Sequence, residues 1–210
     1  MDLPMRYTFF FLLFSTAFTS CRLDSPNTAS NTTPVPQPTA KVASSQSPTP
    51  DATPEETAGK SATLLCQTVK TGDNVVYKKQ TFAIDFEPFK SSCFVTTHNP
   101  EYDDPPMESE FAIYKNGKKV FQFPAQFNGV TFGCWVDAVA FQDLNEDKLS
   151  DVIVVGKCSG KSDTYNENMV YVNTGKAFTT REDANYQLNE KKTLKEIADF
   201  VKENRTMFFD

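Results

Sequence analysis

The sequence predicts a mainly β or α+β domain, built of antiparallel strands and hairpins, with one C-terminal helix. Three observations carry this. Short apolar runs of period two recur from residue 61 onward, an Asn-Gly pair separates two of them, and one helical pattern with a capping box stands near the end. Alternation places every second side chain on one face of a strand, whereas a helix repeats every three to four residues. Strands first and a helix last argue against alternating parallel β/α units.

In chain order, residues 1–20 precede that domain. "MRYTFFFLLFSTAFTSC" carries Arg6, an aromatic-rich apolar run and then small residues before Cys21. The run has the length of an export signal and is too short for a relaxed membrane span. Asp2 is out of place in a positive leader start, so translation is expected to begin at Met5. The end of the run resembles the lipobox of bacterial lipoproteins, with Phe18 where that family usually has Leu. The resemblance implies that Cys21 becomes a lipidated first residue and anchors an exported protein to a bacterial membrane, on its periplasmic or cell-surface side. Residues 21–60 contain no aromatic residue and are rich in Pro, Ser and Thr. So little apolar surface cannot offset the entropy of ordering, which predicts a disordered tether.

Residues 61–210 then form one domain, long enough to bury about two thirds of its unfolded surface. "FAIDF" (82–86) alternates Phe82, Ile84 and Phe86, and "CFVTT" (93–97) is β-branched and aromatic. Asn116-Gly117 supplies the two positive-φ residues of a type I′ turn, so 110–115 and 118–123 form a tight hairpin. "WVDAVAF" (135–141), "DVIVVG" (151–156) and "MVYVN" (169–173) are further strands. Thr193 and Glu196 make a capping box for a helix that places Leu194, Ile197, Phe200 and Val201 on one core-facing side.

Composition excludes several functions. The formal charge is −6 and the sequence pI about 4.9, with no basic patch, so no nucleic-acid partner is expected. "GKCSGKS" (156–162) is one residue short of a phosphate-binding loop and no helix follows it, so no nucleotide is expected either. Four cysteines lie in the domain without a C-x-x-C pair, and the chain has a single histidine, which disfavours zinc. In an exported protein an even count favours two disulfides. If 134–142 and 151–158 pair antiparallel, Cys134 and Cys158 fall nearly opposite each other. Of the three pairings that four cysteines allow, this one leaves Cys66–Cys93 as the second bond.

Between those two strands lies "DLNEDKLSD" (143–151), far longer than a hairpin needs. Oxygen-bearing side chains fall at alternate places: Asp143, Asn145, Asp147 and, after the Leu149 carbonyl, Asp151. Such spacing suits the six to eight oxygen ligands of Ca²⁺. An EF-hand is excluded, because the flanks are strands and Val154 stands where its last Glu belongs. The stretch "VAFQDLNEDKLSDVIVVG" resembles the FG-GAP/VCBS repeats of integrin-type β-propellers, in which D-x-[DN]-x-D-G-x-x-D joins two strands. The resemblance implies Ca²⁺ binding by Asp143, Asn145, Asp147, Asp151 and the Leu149 carbonyl. It covers one copy, about residues 135–178, so a complete propeller is excluded. Lys148 occupies the family's Gly place, which weakens the site. A fainter similarity is to periplasmic carbapenem self-resistance proteins, which carry an aspartate-rich loop of this kind.

Catalytic signals are sparse. His98 lies in the Pro- and Asn-rich stretch "TTHNPEYDD", which predicts a solvated loop histidine. Asp103, Asp104, Glu108 and Glu110 could supply a carboxylate pair for a hydrolase, but spacing alone selects none of them. "DTYNENM" (163–169) reads as a polar connector or an extension of a binding surface. The expected function is a non-catalytic, lipid-anchored envelope module that binds an envelope component or protein partner. The alternatives are a periplasmic hydrolase and a protective factor against a cell-wall antibiotic, the last from family similarity alone. Mass spectrometry of the mature N-terminus is expected to find Cys21 lipidated with more than one acyl chain, since one chain anchors only marginally. An unmodified Cys21 contradicts this.

Overall fold

The computed structural model describes residues 54–209. The export signal, Cys21 and the chain up to residue 53 lie outside the described residues. Helix α1 (Pro54–Cys66) opens the described part. It overlaps residues 54–60, which the composition assigns to the disordered tether. Proline at a first helical position forfeits no hydrogen bond and presets φ, so Pro54 begins the helix without strain. At its other end Cys66 is bonded to Cys93, with Cα atoms 5.5 Å apart.

Two antiparallel sheets follow, and neither closes into a barrel. The first contains β1 (Val75–Val76), β2 (Phe82–Ile84), β3 (Ser92–His98), β4 (Glu110–Lys115) and β5 (Lys118–Gln122). Their order is β1-β3-β4-β5, with β2 also on β3. Asn116 and Gly117 take φ of 52° and 74°, as the tight β4–β5 turn requires. The second sheet contains β6 (Cys134–Gln142), β7 (Asp151–Ser159), β8 (Thr164–Asn166), β9 (Met169–Asn173) and β10 (Phe178–Thr179). Its order is β10-β9-β7-β6, with β8 also on β7. The polar stretch 163–169 therefore supplies a short strand as well as a connection. The expected C-terminal helix follows as α3 (Leu194–Glu203), flanked by the short helices α2 (Glu182–Asn185) and α4 (Arg205–Phe209). Helix α3 is the predicted one. Thr193 Oγ1 accepts from the Glu196 N–H at 3.2 Å, and Glu196 Oε2 accepts from the Lys192 N–H at 2.7 Å.

The layers follow from the alternation of β7. Val152 and Val154 face the first sheet, where they join Phe94, Phe111, Phe123 and Tyr171 in an aromatic-rich core. Ile153 and Val155 face the other way, onto Leu188, Ile197, Val201 and Phe208 of the C-terminal helices and turns. A strand covered on both faces needs an unbroken apolar run, and "VIVV" provides it. A smaller cluster on the far face of the first sheet joins Val95, Ala112 and Tyr114 to Val69 and Val76. Gly156 permits one close approach, because a Cβ there would clash with the Glu167 carbonyl oxygen.

Strands β6 and β7 are the longest pair, and Cys134 lies directly opposite Cys158, disulfide-bonded to it. The pairing is in register at the cysteines because of a bulge. Near the loop Gln142 faces Asp151, but Asp137 is an extra residue between Val136, which faces Gly156, and Ala138, which faces Val155. A bulge sets two residues against one and restores pairing beyond it. Exposed Asp137 uses its position to pair with Lys157 at 3.0 Å. Replacing Cys134 and Cys158 together by Ala is expected to lower unfolding free energy by about 3 kcal/mol, from loop-closure entropy. Replacing Cys66 and Cys93 should instead speed hydrogen exchange first in Pro54–Cys66. Denaturant titration and exchange mass spectrometry read the two effects.

Candidate functional site

The acidic loop lies at the open end of the β6–β7 hairpin, opposite the end held by Cys134–Cys158. Each predicted side chain turns back onto the loop. Asp143 Oδ1 accepts from the N–H groups of Glu146 at 2.7 Å and Asp147 at 3.2 Å, and Oδ2 accepts from Lys148 at 2.9 Å. Asn145 Oδ1 accepts from the Asp147 N–H at 3.3 Å, while its amide donates to Asp147 Oδ2 at 2.9 Å. Asp147 Oδ1 accepts from the Leu149 N–H at 2.7 Å. The result is a string of side-chain-capped turns, the local structure that Asp and Asn favour. Glu146 and Lys148 take φ of 64° and 70°. For non-glycine residues this left-handed backbone costs about 1–2 kcal/mol each.

Asp151 differs from the others. It is the first residue of β7 and is fully buried. Its Oδ2 accepts from the Leu144 N–H at 2.9 Å and Oδ1 from the Asn173 N–H at 2.8 Å, so it ties the loop to the end of β9. Burial pushes its carboxyl up to about 6. The two N–H donors pull the other way, and the nearby Asp147 and Asp143 charges add to the rise. Asn173, also buried, donates to the Ser150 carbonyl at 3.1 Å and the Glu87 carbonyl at 2.6 Å, extending the tie to the first half of the chain. Leu144 is pinned in the helix-side core. From α4, Arg205 reaches the Asn145 carbonyl and pairs with Glu146 at 3.2 Å. Neither Arg205 nor Asn173 is marked by a sequence pattern, since both act across long separations.

The structure sets Asp143, Asn145, Asp147 and Leu149 in one loop, with Asp151 buried at its end. Their present aim is toward backbone amides. Among the described residues no group of three or more His, Cys, Asp or Glu side chains is assembled as a metal site.

The other sequence candidates are scattered. His98 is buried, not solvated: it ends β3, and its Nδ1–H points at the carbonyls of Asn99 and Tyr102 at 3.0 and 2.9 Å. The turn after β3 folds over the ring, which the Pro- and Asn-rich sequence gives no sign of. Its Nε2 lies 3.7 Å from Asp103, itself exposed. Asp104 is exposed, and Glu108 and Glu110 line one cavity. No family model, curated protein or solved structure matches the chain.

The raised Asp151 carboxyl has a definite consequence for stability. Between about pH 4 and pH 6 the folded chain holds a proton that the unfolded chain has released, so stability falls as pH rises through this window. The loss levels off above the folded value and amounts to at most about 3 kcal/mol. Asp151→Asn is expected to flatten this slope, although its amide would oppose a backbone N–H and lower stability overall. Urea titrations across pH 4–7 in chelator, comparing the two proteins, measure the difference.

Proposed function

We propose that this chain is a non-catalytic, lipid-anchored envelope module in which the acidic loop takes up Ca²⁺ weakly, and that the domain binds an envelope component or protein partner. The observation that carries the reading is the construction around the loop. A disulfide, a two-face-buried strand, Asp151 and Arg205 all hold one exposed acidic turn in place. That much fixation suits a recognition or metal-holding element better than a passive connection, which two to five residues would serve. The membrane contact comes from the proposed lipid, as no helix of the described residues is long and apolar enough to cross a bilayer.

Asp143 and Asp147 would supply the outer oxygens, Asn145 and the Leu149 carbonyl the middle of the cage, and Asp151 the deepest one. Carboxylate oxygens carry more than one lone pair, so an amide hydrogen bond leaves room for a cation. Bound Ca²⁺ would also neutralise the charge that burial disfavours on Asp151. The hydrolase alternative would draw on Glu108 and Glu110, which line one cavity. Turnover of a cell-wall substrate abolished by replacing either would displace the module reading.

Calcium binding to the native state alone raises stability by about 2.7 kcal/mol at a hundredfold excess over Kd. Melting in millimolar Ca²⁺ is therefore expected to exceed melting in chelator, and identical curves would remove calcium from the proposal. Lys148→Gly should raise stability without metal by about 1 kcal/mol, through relief of left-handed strain. It should also widen the gap between the calcium and chelator curves, because an ammonium leaves the loop.

A further inference from the structure

Leu64, Leu65 and Val75 are 63 %, 71 % and 45 % exposed, and they fall in one short stretch of chain. Helix α1 itself turns the leucines outward. Thr63 and Cys66 face the first sheet, since the Thr63 hydroxyl accepts from the Ala83 N–H at 3.3 Å and Cys66 is bonded to Cys93. At about 3.6 residues per turn, Leu64 and Leu65 then lie on the opposite side of the helix. Beyond them the Thr68 N–H and hydroxyl both donate to the Leu65 carbonyl, at 3.1 and 2.8 Å, and close the last turn. Gln67 Nε2 donates to the Lys78 carbonyl at 2.9 Å, which ties the end of α1 to the segment before β2. Val75 shares a shallow depression of about 480 Å³ with Gln67, Thr68, Lys70 and Lys78.

The charge of this surface is opposite to that of the chain. Lys70, Lys78 and Lys79 are exposed, and Asp73 is the only acidic residue from 64 to 80. Thr71 and Asn74 also line the neighbouring depression, where Lys119 and Glu110 stand. Lys119 Nζ donates to the uncharged Gln122 Oε1 at 2.8 Å. Four lysines thus stand against two carboxylates, in a chain of formal charge −6. They are spread along the sequence, and the fold brings them round the turn 71–74. Glu55 and Glu56 belong to the first turn of α1, about 12 Å or more along the helix from Leu64. Apolar side chains among cations suit an anionic bilayer surface, where leucines enter the headgroup layer and lysines meet lipid phosphates. Chain position favours the same occupant, because the segment that runs from Cys21 joins the described residues at Pro54, the start of α1.

We propose that the outer face of α1 and the lysine-bearing segment after it dock the domain on an anionic lipid surface. Leu64 and Leu65 enter the headgroup layer, and Lys70, Lys78, Lys79 and Lys119 meet the phosphates. The inference names the envelope component for the binding role proposed above and rests on that reading. It needs neither calcium nor the lipid on Cys21, so failed vesicle binding, a failed calcium melt and an unmodified Cys21 are separate results.

The test uses the chain from residue 21 with Cys21→Ser, which keeps every described residue and cannot carry the lipid. It is floated with vesicles of phosphatidylglycerol and phosphatidylcholine, and with vesicles of phosphatidylcholine alone. Flotation is expected with the anionic vesicles only, and should weaken as salt is raised. Leu64→Ser with Leu65→Ser should lower the partition coefficient at least about tenfold, and so should Lys70→Gln with Lys78→Gln and Lys79→Gln. All five side chains are exposed, so an unchanged melting temperature should confirm folding. Should the leucine variant melt lower, the lysine variant decides. No flotation with anionic vesicles, equal flotation with neutral ones, or undiminished flotation by a folded variant would each overturn the proposal. So would a concentration-dependent dimer abolished by the leucine variant, which assigns the face to a second copy of the chain.

Discussion

The two larger cores of this fold meet at β7. The strand pairs with β6, β8 and β9, and its alternate side chains enter the inter-sheet core and the helix-side core. Neither core could form without it, because its even-numbered valines belong to one and Ile153 and Val155 to the other. Burial on both faces removes the polar alternation that usually fixes register. Other devices supply register here. Cys134–Cys158 fixes one end, the Asp137 bulge absorbs the one-residue mismatch, and Asp151 fixes the other end through two backbone amides.

Asp151 is an expensive choice for that last role. A buried carboxylate is tolerated only when hydrogen-bonded, and even two N–H donors do not fully offset its desolvation. An apolar residue could not hold the amides of Leu144 and Asn173. A neutral Asn would present a donor where an acceptor is needed. The strand start therefore carries a charge that the core disfavours, and this ties the stability of the whole hairpin to its local electrostatics.

Much of the scaffold was legible in the residues, for identifiable reasons. Period-two runs, Asn116-Gly117 and the Thr193–Glu196 capping box are local signals, and the structure places a strand, turn or helix at each. The disulfide pairing was legible because two strands joined by one loop constrain each other. What escaped was long-range or conditional. Helix α1 extends into a stretch of low apolar content and is held by Cys66, far from its partner in sequence. His98 sits among turn-forming residues, yet that turn closes over it. Arg205 and Asn173 join the acidic loop only through the packing of distant segments.

The position of Cys66–Cys93 also decides how the domain would bear a mechanical load. Tension on the N-terminal side enters at Pro54, passes along α1, and at Cys66 crosses covalently to Cys93 within β3. Strands β1 and β2 lie inside the bridged loop and are bypassed by the force. The pulled point becomes a strand that is paired with β4 along five residue pairs. Helix α1, outside the bridge, is then the compliant part: its unwinding breaks the Thr63 hydroxyl's bond to the Ala83 N–H of β2 before the β3–β4 pairing is loaded.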